Sequence, residues 1–217
     1  MTALRAHLSS LSALTLAGML TLSPIVALAD TYAPPATDTT AVALFKLGHE
    51  RKSNYEMKGS TFKVGRAEVF INAPMADVKA AVLDYGSYAT FMPKFQKSKL
   101  LKQNGAAAQV YLQIPILHGA ATIWSVENFA APATDGKGEK IIGTMDKGNV
   151  DDLKATWRYR PVDDKHTVLS LDIYIAPKVD APESLVTAEV EDACGDGVMA
   201  VKNRAETASK TVASAKP

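Results

Sequence analysis

Between Ile71 and Pro93 the chain reads INAPMADVKAAVLDYGSYATFMP, and no other stretch constrains the fold as closely. A strand arrives through Ala67-Glu68-Val69-Phe70-Ile71, and Asn72-Ala73-Pro74 turns it directly into a helix. Pro74 has a ring-fixed φ and no N–H to lose, so it suits the first helical turn. Asn72 or Ala73 then caps, with Asn72 the better candidate chemically. Val78, Ala81 and Val82 recur at three- and four-residue spacing and give this helix one apolar stripe. Asp84-Tyr85-Gly86 breaks it, and Tyr88, Phe91 and Met92 form a second short apolar cluster before Pro93.

The flanking sequence is strand-rich. Tyr55 to Ile71 reads as one long strand, with Gly59 and Gly65 as bulges or bends. After Pro93 come six strand-like segments with short connections, which predicts an antiparallel meander rather than βαβ units. They are Phe95–Lys102, the run carrying Val110, Leu112, Ile114 and Ile116 on one face, Ala120–Ala130, Lys140–Lys147, Asp152–Val162 and His166–Ala176. Asn104-Gly105 is a tight-turn dipeptide and Pro132–Gly138 reads as a loop. The last two strands alternate cleanly. Leu153, Ala155, Trp157 and Tyr159 share one face of the first, and Leu169, Leu171, Ile173 and Ile175 share one face of the second. A helix from Glu183 to about Ala208 follows, its buried stripe set by Val186, Val190, Ala193, Gly197 and Val201. Gly195 and Gly197 each cost about 1 kcal/mol against alanine in a helix interior. Either the helix kinks or begins there, the kink being the favoured reading, or something approaches its backbone closely.

Strand, Pro-started helix, D-Y-G break and aromatic-F-x-P, in this order, resemble the START-like (SRPBCC) superfamily of helix-grip domains. The likeness is strongest to the branch containing coenzyme-Q-binding proteins and polyketide cyclases. The resemblance spans about Tyr55 to Ala208 and implies an α+β fold. In it a seven-stranded curved antiparallel sheet wraps a long C-terminal helix, with one or two short helices after the first strand. The corresponding domain is residues 53–210, followed by a tail, 211–217. Residues 30–52 are expected to be a Pro/Thr/Ala-rich linker with a short N-terminal segment: Ala41–Gly48 forms a short helix and His49-Glu50-Arg51-Lys52 a solvated turn.

Residues 1–29 carry the marks of a secretory leader. Arg5 supplies a positive n-region, Leu11 to Leu22 an apolar core, and Ala27-Leu28-Ala29 an A-x-A cleavage site. The apolar core is a dozen residues long, short of the about 20 that a membrane span needs. Cleavage near Ala29 places the mature protein in the periplasm or outside the cell. Removing the leader takes away one basic residue and leaves 23 basic and 23 acidic ones. A balanced chain with no long Lys/Arg run lacks the footprint of a nucleic-acid binder. Cys194 is the single cysteine, so no intrachain disulfide forms.

The residues offer little catalytic chemistry. Mature histidines are His49, His118 and His166, none in a metal-ligand spacing, and no G-x-S-x-G elbow is present. No metal, cofactor or catalytic residue is expected. Trp157 and Tyr159 either line a ligand chamber or are plain core, and periodicity alone does not separate the two. With the resemblance, the chamber reading is favoured. Its walls are then Phe91, Leu112, Ile114, Trp124, Met145, Leu153, Trp157, Tyr159, Leu171, Ile173, Val190, Cys194 and Gly197. Tyr111 and Glu127 are candidate polar anchors, the direction of Glu127 being left open by its strand parity. Burial of Glu127 would favour its neutral form.

The resemblance implies an exported binder or carrier of a hydrophobic small molecule: a quinone, an isoprenoid, a sterol-like molecule or an acyl lipid. It leaves room for a transient contact with a membrane surface. The alternative is a polyketide cyclase/aromatase-like enzyme using acid/base groups in the same cavity. A second alternative is a protein-interaction adaptor with a closed core. The volume of the pocket and the direction of Glu127 discriminate among the three.

Overall fold

A computed structural model of the protein describes residues 32–116, 119, 121–178 and 180–214, and the expected leader, residues 1–29, lies outside them. In the unit that begins at Ala33 the described elements run in the order α1 (Thr39–Leu47), β1 (Arg51–Tyr55), β2 (Val64–Ile71), α2 (Met75–Leu83) and α3 (Tyr88–Phe91). Then come β3 (Lys97–Asn104), β4 (Ala107–Ile116), β5 (Ala121–Phe129), β6 (Ala133–Asp135), β7 (Gly138–Gly148), β8 (Val150–Asp163), β9 (His166–Pro177) and α4 (Glu183–Ser214). The sheet is antiparallel throughout, in the order β1-β2-β9-β8-β7-β5-β4-β3, with β6 added against β7. This is the expected α+β helix-grip arrangement, with nine strands in place of seven.

The two extra strands have local causes. The expected single strand Tyr55–Ile71 is a hairpin, β1 against β2, in which Tyr55 pairs with Val64. Gly59 sits in its turn at φ 81°, a backbone angle that a side chain resists. The expected loop Pro132–Gly138 contains β6, where Ala133 pairs with Lys140. The expected domain start at residue 53 therefore falls inside β1. The charged run expected as a turn instead opens that strand: Arg51 pairs with Glu68 at 2.7 Å and Lys52 with Asp192 at 2.8 Å.

Pro74 stands one residue before α2, at φ −57° and ψ 150°, and its carbonyl accepts from the backbone N–H of Asp77 at 3.0 Å. Asn72 does not cap. Its backbone N–H and side-chain amide both go to Glu206 Oε1, at 2.8 and 3.1 Å, so it ties the start of α2 to α4. At the N-terminal side, α1 starts two residues earlier than expected because Asp38 caps it, accepting from the Ala41 N–H at 3.0 Å. The same carboxylate takes the Arg160 guanidinium at 2.6 and 2.8 Å, which straps α1 to the outer face of the sheet.

The long helix α4 runs unbroken through Gly195 and Gly197 and ends at Ser214, beyond the expected Ala208 and into the expected tail. Its helical hydrogen-bond pattern has no break at the two glycines, and close approach accounts for Gly197. A Cβ on Gly197 would lie 2.8 Å from Leu171 Cδ2 and 3.5 Å from Trp157 Cη2. On the facing strand, a Cβ on Gly65 would lie 2.8 Å from the backbone of Val190 and Glu191, so Gly65 is a contact point for the helix. The core between helix and sheet is built on Val69, Ile71, Val78, Val82, Ile141, Tyr159, Leu169, Val198 and Val201, each at most 1% exposed.

Candidate functional site

Toward one end of the sheet the core does not close. The inner faces of β4, β5, β8 and β9 and the first half of α4 enclose a cavity of about 160 Å³. Its geometry follows from residue size. Leu112 and Ile114 on β4, Leu153 and Trp157 on β8, and Leu171 and Ile173 on β9 project from the sheet. Opposite them α4 offers Val186, Val190, Ala193 and Gly197, too short to fill the space. At the rim Lys94 Nζ lies 3.3 Å from Asp196 Oδ2, joining the segment after α3 to the helix.

Glu127 faces this cavity. On β5 the buried residues Ile123, Ser125, Glu127 and Phe129 share the inner face, while Trp124 and Asn128 are exposed on the other. Glu127 is 2% exposed, and the Ser125 hydroxyl donates to its Oε1 at 2.8 Å. Among the described residues that is its one hydrogen-bond partner. Desolvation pushes its pKa up to about 7, the Ser125 hydrogen bond pulling weakly the other way. A carboxyl in this position is about half protonated at neutral pH and mostly protonated below it. Its hydroxyl can then donate to a carbonyl or ether oxygen in the cavity.

Tyr88 closes the inner end. Its hydroxyl donates to the Val82 carbonyl at 2.5 Å, and burial raises its pKa well above the usual tyrosine range. That proton is committed to the backbone. Behind Tyr88 the space is solid: Tyr85 stacks on Phe129 at 4.5 Å, and Tyr159 donates to Glu139 at 2.8 Å.

Of the residues expected at the site, Leu112, Ile114, Glu127, Leu153, Trp157, Leu171, Ile173, Val190 and Gly197 meet around the cavity. Six do not. Trp124 is 37% exposed on the outer face of the sheet because it alternates with Ile123 and Ser125, and Tyr111 stacks on it there at 6.4 Å. Tyr111 is therefore no anchor for a guest. Tyr159 is inward but beyond Tyr88, in packed core. Cys194 turns toward β2, its Sγ donating to the Gly65 carbonyl at 3.3 Å. Phe91 packs on Tyr88 and lies under the Arg204 guanidinium at 4.3 Å. Met145 packs against a satellite cluster of Ile123, Val150 and Leu153, outside the cavity wall.

The sequence reading missed Tyr88, Met92 and Phe95 from the α3 segment, and Ile123 and Phe129 from β5. The signal for the β5 pair was present, since Ile123 and Phe129 share the parity of Glu127. Among the described residues no group of three His, Cys, Asp or Glu is placed to hold a metal ion.

Comparison with known proteins fits this geometry. No curated protein matches the sequence. Solved structures do match, at identities that speak for the fold alone. A STAR-related lipid transfer protein fragment from Xanthomonas axonopodis superposes with TM-score 0.63 at 18% identity, over 72% of this chain and 93% of that one. The human StarD13 lipid transfer and protein localization domain gives TM-score 0.61 at 15% identity, over 72% and 84%. The Zhui aromatase/cyclase from Streptomyces sp. R1128 gives TM-score 0.53 at 18% identity, over 73% and 94%. Residues 71–202 match the family described as polyketide cyclase / dehydrase and lipid transport, and the chain belongs to that family, within the START-like superfamily.

Proposed function

We propose that the protein is a binder or carrier of a hydrophobic small molecule, working outside the cytoplasm after cleavage near Ala29. The observation that carries this reading is an apolar cavity whose inner wall holds a single carboxyl, Glu127. Apolar walls with one or two orienting polar groups suit a lipid-like guest. A cavity of roughly 150 Å³ lined by aliphatic and aromatic groups stays dry and takes a benzene-sized ring. At about 160 Å³ this one accommodates a ring head or a short chain segment, and a longer tail leaves past the Lys94–Asp196 rim. Quinones, isoprenoids, sterol-like molecules and acyl lipids with an uncharged oxygen fit that description.

A cyclase-like enzyme is the second reading, and the titration of Glu127 at about 7 favours it, since that value suits an acid/base group at neutral pH. Against it, the neighbouring Tyr88 proton is held by Val82, and the other charged lining groups, Lys94, Glu189 and Asp196, sit on the rim segment and the helix. The cavity leaves the closed-core adaptor without support.

Organic extraction of the protein purified from its own envelope, with mass spectrometry of the extract and of the intact chain, tests the proposal. A stoichiometric apolar compound that returns unchanged on a chain lacking residues 1–29 is the expected result. Trp157→Arg, if folded, should carry none, because an unpaired charge in an apolar chamber is costly. A native protein that comes out empty and takes up no hydrophobic probe refutes the carrier, and turnover of a bound poly-keto chain would establish the enzyme.

A further inference from the structure

The outer face of β3, β4, β5 and β7 carries a set of groups that the cavity does not use. Strand register puts Lys99, Tyr111, Val126 and Lys147 side by side in one row and Lys97, Gln113 and Trp124 in the next. Directly paired residues point to the same side of a sheet, so the two aromatic rings lie between lysines. Trp124 is 37% exposed and stacked on Tyr111 at 6.4 Å and 23°. One exposed tryptophan is ordinary. Its surroundings are not.

Among the described residues Lys97, Lys99 and Lys147 are exposed and form no ion pair; Lys46, Lys58, Lys102, Lys137 and Lys165 elsewhere are exposed and form none either, but these three flank the aromatic pair. Neither row contains an Asp or Glu. Asp146 stands at the bulge in β7, and the start of β8 carries Asp151 and Asp152, the latter held by Lys154 at 2.9 Å. In a chain of nearly balanced charge, this face is a local concentration of free cations around an aromatic pair. The cavity lies on the opposite face of the same strands. The next pair along β4 and β5 is Ile114–Ile123, whose side chains form the cavity wall toward the rim.

We propose that this outer face docks on an anionic lipid membrane, with Trp124 and Tyr111 at headgroup level and Lys97, Lys99 and Lys147 on the lipid phosphates. The inference rests on the carrier reading above: an apolar guest has its reservoir in a lipid phase, and docking here holds the protein at that phase. Trp and Tyr settle at membrane–water boundaries because their rings are apolar and their edges polar. Each lysine near an anionic surface strengthens binding by about fivefold, so three contribute about a hundredfold, an attraction that salt screens.

The test is sedimentation of the full mature chain with phosphatidylcholine vesicles, with and without phosphatidylglycerol. Wild type should pellet with the anionic vesicles, less so as salt rises. The triple variant Lys97→Gln/Lys99→Gln/Lys147→Gln should bind them about a hundredfold more weakly. Trp124→Ala should weaken binding while keeping the salt dependence. No binding to anionic vesicles, or a triple variant that binds like wild type, overturns the docking face. So does RNA or an acidic peptide that occupies the patch more tightly than the vesicles. Uptake of a hydrophobic fluorescent probe without vesicles separates the two readings. A protein that takes the probe but ignores vesicles loses only the docking face. One that docks but takes no probe keeps the face and loses the carrier.

Discussion

Glu127→Gln isolates the one buried carboxyl of the cavity with little change in shape. In the unfolded chain the carboxyl titrates near 4.5, and in the folded protein burial pushes it up to about 7. Between those two values the folded state holds a proton that the unfolded state has released. Stability therefore falls as pH rises across this window, at about 1.4 kcal/mol per pH unit. The contribution is fully present below about pH 4.5 and lost as pH passes about 7, where the carboxylate must ionise inside an apolar wall. Over the window the loss amounts to roughly 3 kcal/mol, a large share of a stability of about 5–15 kcal/mol. The group is 2% exposed, so solvent screening does little to reduce it.

Glutamine removes the titration and leaves a side chain that still pairs with Ser125. The assay is denaturant unfolding of wild type and Glu127→Gln at several pH values from 5 to above 8. The difference between the two curves cancels every other titrating group. Glu127→Gln should gain on wild type steadily with pH, then level off above about pH 7. Curves that stay parallel would show that Glu127 reaches solvent in the folded protein, and the reading of the cavity as a dry chamber would fail with it. A probe with a carbonyl at this site should bind wild type more weakly above pH 7, because the donating proton is gone.

Leu171→Ala removes a side chain that is 3% exposed and wedged between Trp157 and Gly197, and should cost about 2–5 kcal/mol in denaturant unfolding. An unmoved midpoint would place Leu171 elsewhere. Gly197→Ala should leave stability within about 1 kcal/mol of wild type, since helix propensity gains about that much while Leu171 Cδ2 has cavity space to retreat into; its readout is weaker probe uptake from a narrowed chamber. Asp172→Ala strips a carboxylate that is 5% exposed from Arg66 at 2.6 Å and Arg158 at 2.6 Å. Those arginines are about a third exposed, so the loss should be about 2 kcal/mol, below the 3–5 of a fully buried pair. Burial raises the pKa of Asp172, but the two guanidiniums hold it below the usual carboxylate range. Its contribution is thus present at neutral pH and should disappear as pH falls through that lowered value, visible as convergence of the two proteins in acid.

The parts of the fold that are legible in the sequence are those where one face is apolar and the other charged. Asp152–Val162 and His166–Ala176 alternate without exception at their centres, so the period-two pattern alone turns Trp157, Leu171 and Ile173 inward. Strand β5 defeats the same reasoning. Trp124 looks like a core residue and Glu127 like a surface one, yet their true directions are opposite, because register against β4 outranks the hydrophobicity of any one residue. The hairpin β1–β2 is hidden by polar strands at the sheet edge: all of β1 is exposed, leaving no apolar period to read. Cys194, Tyr159 and Met145 are drawn to the chamber by facing alone. Parity says which side of an element a residue occupies, and says nothing of how far along the core the space opens.

That last quantity depends on side-chain size, and the two ends of the core differ in it. Toward α2 the helix meets the sheet through Val198, Val201 and Ala205, with Tyr85, Tyr88 and Tyr159 filling what remains. Toward the rim the helix offers Val186, Ala193 and Gly197 to a wall of isoleucines and leucines, and nothing bulky intervenes. A cavity of about 160 Å³ costs roughly 4 kcal/mol at about 24 cal/mol per Å³, relative to a core packed through. A larger residue at Ala193 would recover part of that, so a core optimised for stability alone would not keep so small a side chain there. A guest present at about a thousand times its Kd stabilises by about 4 kcal/mol, enough to offset the cavity. The loaded protein should then unfold at markedly higher denaturant than the stripped one. Equal midpoints for the two would mean that the guest does not bind the folded chain in preference to the unfolded one, and the cavity would have no occupant to offset its cost.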